Sequence, residues 1–199
     1  MRVLCAGDIH GDLSVAKKLA AKARASCVDL VVLCGDVFGR GESKGIVKAF
    51  DDLGKRVLFV NGNHEAFFVG RLLESMYPSV KDLHGNYYVV GDVGFFGCGG
   101  ANVGFGLDDL SILDVLKKAS VGVSNVNKRV MVTHVHPRGS MIEKFSHFVF
   151  GSAGVSMAID YLKPDLVVCS HVHEADGVSE DFNGTKVICA GRKGVVVDL

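Results

Sequence analysis

Five short apolar runs in this chain of 199 residues each stop at a tight polar turn, and that repetition constrains the fold more than any other feature. The runs cover residues 2–6, 29–34, 56–60, 129–133 and 166–169. The turns that follow read Gly7-Asp8-Ile9-His10-Gly11-Asp12, Gly35-Asp36, Asn61-Gly62-Asn63-His64-Glu65, His134-Val135-His136 and Ser170-His171-Val172-His173. Short apolar runs bounded by such turns suit buried strands. Segments with helical periodicity lie between or beside them, at 13–26, 45–53, 66–76 and 152–162. Strand–helix alternation implies parallel βαβ units whose sheets are covered on both faces. In open α/β sheets the ligand crevice lies beyond the carboxyl ends of the strands. The five turns are therefore expected to meet at one edge of the fold.

The remaining elements extend this α/β pattern. A hairpin-like stretch at 87–90 and 94–98, with closing strands near 186–190 and 194–197, implies an antiparallel portion. Asp12 and the Asp108-Asp109 pair stand where helix starts need an oxygen acceptor. The length favours a single domain over 1–199. Apolar residues make up 48% of the chain and the formal net charge is zero, which excludes disorder and argues against an extended nucleic-acid surface. None of the six cysteines forms a CxxC pair, and Cys5, Cys34, Cys169 and Cys189 sit in or beside apolar runs. Buried free thiols in a reducing compartment, the cytoplasm, follow. No secretory signal or membrane span is expected, and a homo-oligomer is compatible with the pattern.

The groups gathered by the turns include two aspartates, one asparagine and four or more imidazoles, a hard-to-borderline oxygen and nitrogen set without thiolate. It suits manganese, iron or zinc better than a soft-metal site, and nickel is a further alternative. Seven ligands exceed one tetrahedral zinc and suffice for two ions if a carboxylate bridges. Paired divalent cations clamp a phosphoryl group and turn a bound water into an attacking hydroxide. Any one of these Gly–Asp turns alone reads as ordinary turn chemistry; five together point to a site.

The ordered motifs Asp8-Ile9-His10, Gly35-Asp36, Gly62-Asn63-His64-Glu65, His134 and Ser170-His171-Val172-His173 resemble those of the calcineurin-like metallophosphoesterase superfamily, in its small phosphodiesterase-like branch. The resemblance runs from residue 8 to residue 173. It implies a four-layer α/β/β/α sandwich and a dinuclear centre, with manganese the first expectation. It assigns Asp8, His10 and His173 to one ion, Asn63, His134 and His171 to the other, and Asp36 to both. It leaves His64 unligated, facing the phosphate or protonating the leaving oxygen, a task suited to an imidazole pKa of about 6.5.

The pattern departs from the phosphoprotein-phosphatase branch at Gly39, where that branch carries an aspartate, and at Asn61, where it carries an arginine. Arg40 keeps the phosphate-contacting position. Ser170 replaces the glycine of the GHxH motif. His136, two residues beyond His134, is a substrate-contact candidate or an alternative ligand, and the resemblance favours Thr133-His134 as the metal-binding pair. Glu65 and Glu174 are expected to support ligands or cap helices. His84 and His147 are expected to be structural. For the phenylalanines of 141–150 core packing is the first expectation, with a flap over the metals, a nucleobase platform or a dimer contact as alternatives.

The leading expectation is hydrolysis of a small phosphate ester, of diester or nucleotide type. A non-catalytic scaffold of the same fold is the alternative from a different class. A protein phosphatase or dinucleotide-polyphosphate hydrolase is the third.

Overall fold

The computed structural model describes residues 1–39, 45–102 and 106–199. Arg40 and Gly41 lie outside the described residues. Strands β1 (Arg2–Ala6), β2 (Leu30–Cys34), β3 (Arg56–Val60) and β4 (Val80–Asp82) run parallel. The closing strand β11 (Val195–Asp198) pairs antiparallel with β1, giving the order β11-β1-β2-β3-β4. A second sheet has the order β5-β6-β7-β8-β10-β9. Its strands are β5 (Tyr87–Val90), β6 (Val93–Cys98), β7 (Lys128–Thr133), β8 (Leu166–Cys169), β9 (Ser179–Phe182) and β10 (Thr185–Cys189). The four central strands are parallel, and the edges β5 and β9 are antiparallel.

Alternation along these strands decides which layer each side chain enters. Leu4, Ala6, Val31, Leu33, Val57 and Phe59 pack with residues of helices α1 (Leu13–Ala25) and α2 (Ile46–Asp51). Their neighbours Val3, Cys5, Leu30, Val32, Leu58 and Val60 pack instead against Phe95, Val130, Val132, Val168 and Ile188 of the other sheet. On the far side, Phe96, Met131, Val167 and Val187 meet helices α4 (Asp109–Ser120) and α5 (Ala153–Leu162). Three apolar interfaces thus separate four layers, as the α/β/β/α expectation requires. Helix α3 (Val69–Met76) covers the edge near β4.

Capping follows the sequence reading. Asp12 accepts the Ser14 and Val15 amides at the start of α1, and Asp108 accepts the Ser111 amide at the start of α4. The two closing strands do not pair with each other but part to different sheets. Cys5, Cys34, Cys98, Cys169 and Cys189 are buried free thiols, and Cys27 is exposed. The expectation for 141–150 needs correction. Ile142 joins the core, but the 3-10 turn at Ile142–Phe145 leaves Phe145 on its outer face at 44% exposed, and Phe148 and Phe150, beyond that turn in irregular chain, are 89% and 64% exposed. Among the described residues, no helix is long and apolar enough to cross a membrane.

Candidate metal centre

All five polar turns leave the carboxyl ends of strands, three from the first sheet and two from the second, and they meet at one rim. Backbone hydrogen bonds lace them together. Asp8 N–H donates to Gly35, His10 N–H to Asp36 and Ser170 N–H to His134, at 3.0, 2.8 and 2.8 Å. These bonds hold Asp8, His10, Asp36 and His171 at φ of +51°, +51°, +49° and +77°. Left-handed backbone is costly for residues with a Cβ and persists where surroundings over-determine it. Gly35, at φ +87°, has no alternative: a Cβ there would lie 2.6 Å from the Gly62 nitrogen and 2.7 Å from His134 Nδ1.

The side chains converge as expected. Single ligand atoms of Asp8, His10 and His173 lie within 4.8 Å of one another, as do those of Asp36, His134 and His171. Asn63 Oδ1 lies 3.0 Å from His134 Nε2, which also stands 3.4 Å from Asp36 Oδ2. Asp36 Oδ2 lies 3.9 Å from both His10 and His64. The carboxylate of Asp36 therefore stands between the two groups. His64 forms a third group with His10 and Asp36, so it shares their neighbourhood, with 52% of its side chain open to solvent.

Supporting contacts fix the ligand atoms. His134 Nδ1 donates to the Cys34 carbonyl at 2.8 Å, which aims Nε2 at Asn63 Oδ1 and Asp36. The Ser170 hydroxyl and the His171 amide both donate to Asp8 Oδ2. Ser170 therefore does at Asp8 what a glycine could not, and Gly7 beside it leaves the room. Glu65, buried, accepts from Asp36, Phe38 and Gly62 amides at 2.9, 2.9 and 2.6 Å, tying the turn after β2 to the turn after β3. The sequence marks Glu65 as a supporting group; its three partners are visible only in the fold. His84 accepts the Gly99 amide, a structural role.

The electrostatics match a cation site. Burial works to raise the Asp36 pKa, but the His134 hydrogen bond and charge, with the His64 amide, bring it well below the usual carboxylate range. Burial opposes charge on His134 too, yet Asp36 and Asp8 push it up to about 9. His171 goes the other way, down to about 3, chiefly through burial and the charge of His134. Asp8 Oδ1 and His171 Nε2 are buried without a hydrogen-bond partner among the described residues. Such orphaned atoms are costly unless something else binds them. A divalent cation suits both, so the Asp and His groups fit metal ions. His136 is fully buried, with no hydrogen-bond partner at either ring nitrogen.

Comparison with known proteins agrees. Among solved structures, the chain is similar to TT1561 of Thermus thermophilus, at TM-score 0.78 and 16% identity, over 99% of this chain and 98% of that one. A dimetal phosphatase from Danio rerio matches at TM-score 0.66 and 13% identity, over 96% and 88%. An archaeal phosphodiesterase matches at TM-score 0.58 and 18% identity, over 96% and 84%. No curated protein matches the sequence significantly. The model of the calcineurin-like phosphoesterases matches residues 1–175. With that match spanning most of the chain, over turns that bring aspartates and histidines into two contiguous groups, the protein belongs to the calcineurin-like phosphoesterase family and is a metal-dependent phosphoesterase.

Proposed function

We propose that the chain hydrolyses a phosphoester, of diester or nucleotide type, at a pair of divalent cations, as a member of the small phosphodiesterase-like branch. The observation that carries this reading is the placement of Asp36 between two ligand groups, with Asp8 Oδ1 and His171 Nε2 buried and unpartnered beside it. Asp8, His10 and His173 would hold one ion, Asn63, His134 and His171 the other, and Asp36 both. Bound there, paired cations supply Lewis-acid charge to the phosphoryl oxygens and acidify coordinated water. Manganese is the metal we assign first, on the mixed oxygen and nitrogen donors, with iron, zinc and nickel as alternatives.

The chain's own groups do the rest. Ser170 and the His171 amide occupy Asp8 Oδ2 and so turn Oδ1 toward the cation side. The Cys34 carbonyl fixes the His134 tautomer. His64 has its backbone tied to Asp36 at 2.9 Å while its ring stands open to solvent. That ring is placed to stabilise charge on the phosphate or to give a proton to the departing oxygen. His136, buried with both ring nitrogens without partners among the described residues, is carried forward as a substrate contact or an alternative ligand to His134. Arg40 is carried forward as a phosphate contact from sequence alone.

The structure gives a physical reason for one departure from the protein-phosphatase pattern. A Cβ at position 39 would lie 2.6 Å from the His10 carbonyl oxygen, so the backbone here has no room for an aspartate. That favours the diesterase-like reading. The buried free thiols support a cytoplasmic setting. The test is turnover of bis-4-nitrophenyl phosphate and 4-nitrophenyl phosphate by manganese-loaded protein. Activity that survives metal stripping, or an inert fully metallated sample across a broad phosphoester panel, rejects the proposal, the latter in favour of a binding scaffold.

A further inference from the structure

A groove of about 420 Å3 opens directly beside the metal centre. Its walls are Phe38, Val47, Val69, Leu72, Met76 and Tyr77, from the turn after β2 and from helices α2 and α3. Two of its residues also belong to the catalytic rim. His64 lines the groove while its ring sits 5.1 Å from that of His10, and Gly39 lines it while packed on the His10 carbonyl. Anything attached to a phosphate at the centre therefore has this groove within reach.

The chemistry of the walls restricts what that attachment is. Among the described lining residues the titratable groups are His64, Glu65 and Tyr77, and none is a lysine or arginine. Glu65 has both oxygens taken by the amides of Asp36, Phe38 and Gly62 and offers nothing to a ligand. Among the described lining residues a further phosphate would find no cation. Leu72 and Met76, four residues apart on one face of α3, are 48% and 60% exposed. Covering such side chains is favourable in proportion to the apolar area removed from water. The volume lies in the range of pockets that take small organic ligands.

We infer that this groove receives an uncharged, apolar substituent of the phosphoester, the size of a medium alkyl chain or an aromatic ring, so that the substrate is the ester of an apolar alcohol. This rests on the hydrolytic reading above and narrows it to esters that carry an apolar arm. Two parallel series of ligands test it on manganese-loaded protein. One is 4-nitrophenyl alkyl phosphodiesters from methyl to octyl, read as kcat/KM; the other is non-hydrolysable alkylphosphonates of the same lengths, read by calorimetry. Both quantities are expected to rise about two- to fourfold per added methylene until the groove is filled. Leu72→Ser and Met76→Ser flatten both slopes, and Leu110→Ser, on an exposed site of α4, leaves them as they were. Flat series in the unaltered protein, or slopes that survive Leu72→Ser and Met76→Ser, overturn the groove assignment while hydrolysis stands. No turnover of any ester, with the phosphonate slope intact, overturns hydrolysis and keeps the groove. A dimer by sedimentation that Leu72→Ser dissociates, with flat ligand series, gives the groove to a second copy and also overturns the assignment.

Discussion

The two halves of the metal centre differ in how firmly the fold holds them. His134 is fully enclosed, its Nδ1 fixed by the Cys34 carbonyl and its Nε2 set against Asn63 and Asp36. Across the centre, His10 and His173 expose 26% and 53% of their side chains, and their closest polar contact is with each other at 3.1 Å. Only Asp8 on that side is anchored as deeply, through Ser170 and the His171 amide. His134 extends the core between the sheets, although Asn63 beside it is exposed, whereas His10 and His173 form a rim over the buried Asp8 carboxylate. Preorganisation of that unequal kind predicts unequal affinity, with the cation on the Asp8 side the first to leave.

The most severe way to break the comparison is to remove the group common to both halves. Asp36→Asn is expected to lower kcat/KM by about a thousandfold or more, since it removes charge at both ions. A loss confined to tenfold would show that Asp36 does not serve the two together. Next come the halves taken singly. His134→Ala should cost about 2–3 kcal/mol of stability in urea unfolding as well as one bound metal, because it leaves the buried Cys34 carbonyl without its donor. His173→Ala should give up a metal with nearly unchanged stability. Equal urea midpoints for the two variants would end the distinction between an enclosed and an open half.

A smaller effect reports on the anchor of the open half. Ser170→Ala, which keeps the backbone and deletes the hydroxyl on Asp8, is expected to weaken the first-released metal about 10- to 100-fold in a chelator titration. A uniform weakening of both metals would show that Ser170 acts on the fold and not on one side. Metal itself should stabilise the fold by about 2.7 kcal/mol at a hundredfold excess over the dissociation constant, read as a melting temperature that climbs with metal concentration. The smallest signal is in the thiols. Burial pushes Cys5 and Cys98 up to about 12, whereas Cys27 is exposed, so Ellman's reagent should label one thiol in the folded chain and the remainder only after denaturant. Rapid labelling of several thiols in native buffer would show a looser core than the strand packing describes.

Much of this was legible from residue order because strand ends carry both the apolar signal and the ligands. Val31 to Cys34 could only be a buried strand, and Asp36 two residues later had to sit at its carboxyl end. Two edge strands, β4 and β9, were not legible, whereas the edges β5 and β11 were. Strand β9 reads Ser-Glu-Asp-Phe, and a polar segment at a sheet margin takes its conformation from backbone pairing with β10 and not from its own side chains. Strand β4 is only three residues long and escapes for the same reason. Helix α3 begins at Val69, later than its periodicity suggests, behind Phe68, which offers no capping oxygen. The reason for Gly39 and the groove beside His64 both depend on residues from separate elements approaching in space, which no local pattern encodes.

The centre draws Asp8, Asp36 and Asn63 from one sheet and His134, His171 and His173 from the other, while the layer between the sheets is apolar throughout its cluster. Oil-like contacts tolerate sideways slip, whereas ligand distances do not: a shift of one strand residue, about 3.3 Å, would part Asn63 from His134. Cations held by these groups would act as a clasp that aligns two plates at one rim. Repacking at Leu58 or Phe95, both in that apolar layer, should detune the chemistry by letting those plates settle out of alignment.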